Sequence, residues 1–224
     1  MKTVPKVVAF AIVGSVMFGS MLFVPAGTFN YWRAWLFLVV FSLSTLIPSL
    51  YLLRTNPAAL ERRMRTGPVA ETRPVQKVVI IVAGLSLVAL IVVSVIDHRF
   101  GWSPVPTTIS LVGDVLVAIG LGVSMLVVIQ NGYAASTITV EAGQKLVSTG
   151  LYAFVRHPMY TGTIIMMLGT PLALGSYWGL VFVIPGLLGL AVRIDDEEQL
   201  LNQELDGYSE YAQKVHYRLV PYVW

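Results

Sequence analysis

The sequence predicts an all-α, polytopic integral membrane protein of about six transmembrane helices, with a short kinked C-terminal helical hairpin and an amphipathic C-terminal helix. Three observations carry this. Hydrophobic residues make up 56% of the chain and charged residues only 12%, against roughly 25% charged in a soluble domain. Several apolar runs approach the ~20 residues that cross a bilayer. The basic residues gather in loops that such a layout places on one side. No long polar block interrupts the pattern, so residues 1–224 read as one membrane domain. Residues 1–130 hold four spans; residues 131–224 hold a polar connector, the hairpin and the last helix.

The elements follow in order. Lys2 and Lys6 precede an apolar run from Val7 to Val24. That run is long for the core of a signal peptide and no small-x-small cleavage site follows, so it reads as a retained span. Asn30 to Trp35 form an interfacial aromatic belt leading into a second span, Leu36 to Leu53. A basic loop follows, in which Asn56-Pro57 starts a short helix, Ala58 to Met64, and Gly67-Pro68 breaks it. The third and fourth spans are Val78 to Ile96 and Thr108 to Ile129. Beyond the connector, Met159 to Leu174 and Tyr177 to Val192 are apolar runs hinged at Gly175-Ser176, with Pro171 and Pro185 as sites for kinks. At about 16 residues, each is ~24 Å long and falls short of a ~30 Å hydrocarbon core. From Arg193 to Lys214 apolar residues recur at helical spacing, so an amphipathic helix is expected, interrupted at Gly207.

With both termini inside, only Arg33 and Arg99 of the 15 lysines and arginines fall outside, as the positive-inside rule requires. The connector and the C-terminal helix then share the cytoplasmic face, where they can meet and close a site.

Composition excludes much. With no cysteine, disulfides, thiolate metal sites, a cysteine nucleophile and prenyl or palmitoyl anchors are ruled out. The net charge of +3 implies no nucleic acid; membrane lipids are the expected surroundings. The three histidines are dispersed, His98 and His216 show no partner, and no metal-ligand spacing occurs. No dinucleotide fingerprint and no nucleophile elbow is present. Gly113, Gly120 and Gly122 read as helix-packing positions.

The polar stretch Gln144 to Tyr160 stands out between apolar runs. Arg156 and His157 precede Pro158, which suits the first position of a helix, so a cation, an imidazole and Tyr160 stand where an interface meets a membrane helix. Ionisable groups at such a depth mark function. Arg193 and Glu197 share a helix face where the last span ends, although an acidic helix start with a snorkelling arginine would also produce that cluster.

Lys145-Leu146-Val147, Gly150-Leu151-Tyr152 and Arg156-His157-Pro158-Met159-Tyr160, followed by Arg193-x-x-x-Glu197-Glu198, Gly207-Tyr208-Ser209-Glu210-Tyr211 and Arg218-Leu219-Val220-Pro221, resemble the isoprenylcysteine carboxyl methyltransferase family. The resemblance runs from about Thr137 to Pro221. Its Arg-His-Pro-x-Tyr string is shared with phospholipid N-methyltransferases. It implies S-adenosyl-L-methionine as methyl donor, held by Gln144, Lys145, Leu146, Val147, Tyr152, His157, Pro158, Met159 and Tyr160, with Glu197 closing the pocket. Relatives often have histidine at the position of Gln144; both hydrogen-bond. Arg193 would orient the substrate, and Arg193 and Glu197 would be the catalytic pair. His157 or backbone N–H groups would hold the cofactor's carboxylate and Glu197 its ammonium. The acceptor would be a hydrophobic small molecule or lipidated substrate, with carboxylate O-methylation favoured over phospholipid N- or thiol S-methylation. A sterol-reductase-like enzyme using NADPH and an inactive membrane scaffold are the rival readings.

Overall fold

The computed structural model describes residues 3–134 and 136–224, with side chains from Val13 onward. Lys2 and the side chain of Lys6, both expected on the inner face, lie outside the described residues. Helices account for all regular structure among those residues: α1 Thr3–Ala26, α2 Trp32–Thr55, α3 Pro57–Met64, α4 Pro74–Phe100, α5 Thr107–Gln130, α6 Pro158–Ala173, α7 Val183–Glu204 and α8 Tyr208–Lys214. Short 3₁₀ turns cover Gly150–Ala153 and Trp178–Phe182. Among the described residues, four helical stretches are long and apolar enough to cross a membrane: α2, α4, α5 and Trp178–Glu204.

Local chemistry sets the boundaries. Asn56 caps α3, its side chain accepting from the Ala59 N–H at 3.1 Å, with Pro57 in the first turn. Gly101 ends α4 with φ +66°, and Gly175 makes the turn between α6 and α7 with φ +77°. Tyr31, expected in the aromatic belt, turns inward; it is buried, donates to the Leu174 carbonyl and stacks on His98 at 3.8 Å. Trp32 and Trp35 stay exposed.

Two expectations about the C-terminal elements change. No helix begins at Arg193. The stretch from Arg193 to Glu204 contains no glycine or proline, so the backbone ladder of α7 runs on through it. The break falls at Leu205–Gly207, where Gly207 has φ +80°. Pro185 makes no mid-helix kink, because it lies in the first turn of α7, where the missing N–H costs no intrahelical bond.

Helices α5 and α6 form the closest pair. A Cβ on Gly120 would lie 2.4 Å from the Gly162 carbonyl oxygen, and one on Gly169 would lie 2.7 Å from that of Gly113. Two glycine pairs, each spaced seven residues apart, thus let antiparallel backbones touch. Gly122 has open space instead and takes no part. This contact sets the start of α6, with His157 and Pro158, beside the end of α5. The main core packs Leu22, Tyr31, Phe37, Leu90, Ile91, Val95, Val117, Leu174 and Val183. At one end of the bundle buried Asp97 accepts from the Ser103 N–H and hydroxyl and from Ser176. The other polar clusters lie at the opposite end.

Candidate active site

At that opposite end, the connector, the start of α6, the lower half of α7 and α8 enclose a cleft of about 860 Å³, its mouth included. Gln144, Lys145, Leu146, Val147, Tyr152, His157, Pro158, Met159, Tyr160, Arg193 and Glu197 all line it. Two segments about forty residues apart in sequence therefore meet.

The meeting is built from charges. Glu198 is buried among three basic side chains: Arg156 Nε at 2.7 Å, His157 Nε2 at 3.0 Å and Arg218 Nη2 at 3.0 Å. Arg156 also donates to the carbonyls of Val215 and His216, at 3.0 and 3.2 Å, which finishes the C-terminus of α8. The backbone N–H groups of Arg156 and His157 donate to Tyr217 and Arg218, and the Thr161 hydroxyl donates to Leu219. The last segment is thus laced onto the start of α6. An ionised Glu198 only accepts, so the network assigns the imidazole proton to Nε2 and turns Nδ1 toward Glu197 Oε2, 3.9 Å away.

Tyr160 links the two helices differently. Its hydroxyl accepts from Arg193 Nε at 3.0 Å and donates to Glu197 Oε2 at 2.5 Å. Arg193 further donates through Nη1 to Glu71 at 3.0 Å and Gln76 at 2.8 Å, and through Nη2 to the Ser136 carbonyl at 2.7 Å. A guanidinium has five N–H donors, so a single N–H on Nη2 is left. Asp196, on the next face, receives Arg73 and Gln76. The acidic cluster of α7 is therefore not a solvated helix start: Asp196 and Glu198 are buried and matched by cations, and only Asp195, paired with Arg218, is exposed.

The connector closes the other wall. Arg62 grips Glu141 through two bonds, at 2.7 and 2.8 Å, and donates to the Gly132 carbonyl. That hydrogen bond holds the Glu141 carboxyl below its ordinary range, so the clamp is intact at neutral pH and is lost as pH falls through that lowered value. Gln144 accepts from the Glu141 N–H within the same turn. Lys145 is exposed at the rim, while Leu146 and Tyr152 pack on Leu205, Tyr208 and Tyr211. Burial pushes the Tyr152 phenol up to about 12, which keeps it protonated near neutrality.

Several wall residues were given no site role by sequence reasoning: Asn131, Tyr133, Leu200 and Leu201, together with Thr137, Tyr208 and Tyr211, which stood only within the stretch of resemblance. The Tyr208 hydroxyl is buried with no partner among the described residues. Glu71 and Gln76, which hold Arg193, were also missed. Their one signal was an acid inside a basic loop and an amide at the start of an apolar run.

Comparison with known proteins bears on the same stretch. Residues 108–206 match the family described as phospholipid methyltransferase. Every residue expected at the site falls inside this matched stretch. The chain is 36% identical over 113 residues to a probable protein-S-isoprenylcysteine O-methyltransferase of Oryza sativa, covering 48% of this chain and 59% of that protein. It is 37% identical over 92 residues to the protein-S-isoprenylcysteine O-methyltransferase of Schizosaccharomyces pombe, 39% of each chain. It is also 33% identical over 93 residues to the Delta(14)-sterol reductase of Mus musculus, 39% of this chain and 22% of that one. The matches thus span less than two thirds of each relative. The similarity to isoprenylcysteine O-methyltransferases is thus confined to about half of this chain or less.

Proposed function

We propose that this chain is a membrane-embedded, S-adenosylmethionine-dependent methyltransferase acting on a lipidic or hydrophobic acceptor, with a carboxylate oxygen the favoured nucleophile. The observation that carries the reading is the convergence of His157–Tyr160 and Glu197 on one cleft of cofactor size. The donor set suits the cofactor: a carboxylate for an ammonium, tyrosine rings for a sulfonium, apolar Leu146, Val147 and Leu200 for a flat base, and the unpartnered Tyr208 hydroxyl.

S-adenosylmethionine would supply an electrophilic sulfonium methyl group to the acceptor. The protein's part would be positioning. Glu197, oriented by the Tyr160 hydroxyl, would take the ammonium. His157 Nε2 is committed to Glu198, so Lys145 at the rim and backbone N–H groups would hold the carboxylate. Arg193 keeps Tyr160 in place and offers its last N–H toward the acceptor. A carboxylate nucleophile needs no general base.

In the membrane, α1 and α6 join the four longer stretches to make six spans. At 16 residues α6 is about 24 Å long, so it starts below the headgroups and the cleft opens at the inner surface. The positive-inside rule, applied to the basic loops, supports a cytoplasmic side for that surface and for both termini.

A second reading rests on the reductase similarity. A dinucleotide brings phosphates that need cations, and Arg156 and Arg193 are already paired with Glu198 and Glu71, which favours the methyl donor. Purified protein in detergent is expected to bind S-adenosylhomocysteine in preference to NADPH, and Glu197→Ala to weaken that binding about 10-fold, worth about 1.4 kcal/mol. Preference for NADPH would establish the second reading. Label from the methyl group should pass into a lipid-soluble product of membrane extracts.

A further inference from the structure

A second cavity, of about 500 Å³ with its mouth, lies between the inner ends of α2 and α5 and beneath α3. Its walls are mostly apolar or engaged. The hydroxyls of Thr45, Ser49 and Ser124 donate to carbonyls of their own helices, and Ser44 adds one neutral hydroxyl, so none of these supplies a positive charge for an anion. The exception is Arg63. This half-buried side chain has one hydrogen-bond acceptor among the described residues, the Met159 thioether sulfur, 3.1 Å from Nη1. Thioether sulfur is a weak acceptor, so the remaining N–H groups of the fork have no protein acceptor and no carboxylate beside them. Burial lowers the Arg63 pKa, as expected of a cation held without a counter-charge. Such a charge is costly unless something pairs with it.

The position is informative. Met159 lines the first cleft while its sulfur meets Arg63 in the wall of the second. Ser136 joins the same two places, donating to the Arg63 carbonyl and accepting from Arg193. The flanking α2 residues Leu46, Ile47 and Leu50 are exposed, so an apolar tail leaving the cavity meets lipid. Arg193 has four bonds to the protein and a carboxylate partner of its own, which makes it a poor sole holder of an incoming anion.

We propose that Arg63 is the anion site for the acceptor: it pairs with the carboxylate or phosphate of a single-tailed amphiphile that slides in from the bilayer between α2 and α5 and meets the methyltransferase cleft at Met159. This rests on the cleft being the cofactor site, and it adds the acceptor's charge and route. A planar fork suits either oxyanion.

The test uses the full-length protein in phosphatidylcholine nanodiscs and spin-labelled stearate as probe, with its methyl ester as the uncharged control. The expected result is saturable immobilisation of the acid, at least ~10-fold weaker binding of the ester, and the same loss for the acid in Arg63→Gln but not in Arg63→Lys. Competition by dodecyl phosphate against oleate distinguishes a phosphate headgroup from a carboxylate; the stronger competitor names the source. S-adenosylhomocysteine binding, measured on the same samples, is expected to be unchanged in Arg63→Gln. Its absence in wild type would remove the cofactor reading while leaving the acid-against-ester comparison in force. Equal binding of acid and ester by wild type, or an Arg63→Gln protein that still prefers the acid, would overturn the proposal.

Discussion

Glu198 shows how much a single side chain holds. It faces Arg156, His157 and Arg218 in a poorly solvated corner, and without it two guanidinium groups lose a counter-charge and the His157 imidazole loses its partner. Breaking a buried pair by removing one partner costs about 3–5 kcal/mol, so Glu198→Ala should lower the thermal midpoint sharply, as read by a thiol-free unfolding assay in detergent. The same change replaces the group that assigns the His157 proton to Nε2, and S-adenosylhomocysteine affinity should fall with stability. Arg193 behaves differently. Its bonds to Tyr160, Glu71, Gln76 and the Ser136 carbonyl support one wall, while one N–H is left over, which the proposed function gives to the acceptor. Arg193→Ala is therefore expected to reduce turnover more than cofactor affinity, compared by single-turnover methyl transfer and equilibrium titration. Equal losses would reduce Arg193 to a wall support. At this scale the sequence was partly legible. Arg156, His157, Tyr160, Arg193 and Glu197 are conspicuous because polar groups at a membrane boundary are costly. The partners of Arg193 were not, because Glu71 lies 122 residues away and nothing local marks the pairing.

At the scale of elements, the α5–α6 contact sets where the site begins. Gly120→Ala would push a methyl to 2.4 Å from the Gly162 carbonyl oxygen, a backbone atom that cannot step aside. Overpacking of this kind costs typically 1–3 kcal/mol. A fall in thermal midpoint of that order is expected, whereas Gly122→Ala, with open space around it, should leave the midpoint in place. Apolar periodicity located α1, α2, α4, α5 and α6 within a few residues, since a long apolar run in lipid must satisfy its backbone internally, as a helix does. It failed at Arg193, where composition changes but hydrogen bonding does not, and α7 carries on through the change. A shift from apolar to charged residues marks the membrane boundary, not the helix end. It also overstated Pro185, whose effect depends on its place in a turn.

For the molecule as a whole, polar clusters occupy both ends of an apolar bundle, and one end holds the cleft. The meeting of the start of α6 with the C-terminal region could be anticipated from the resemblance. The shape of the connector could not. It has little regular structure, and its course is set by tertiary bonds, Arg62 to Glu141 and Gly132 above all. Cleft walls such as Thr137 and Tyr208 came into view only with the fold. The central claim is that the connector, the start of α6 and the lower half of α7 enclose the methyl donor together. The most direct measurement is an experimental density map of the protein with S-adenosylhomocysteine bound. The ligand is expected between His157–Tyr160 and Glu197, its amino group on the Glu197 carboxylate; ligand density elsewhere in the molecule, with this cleft holding only solvent, would contradict the account.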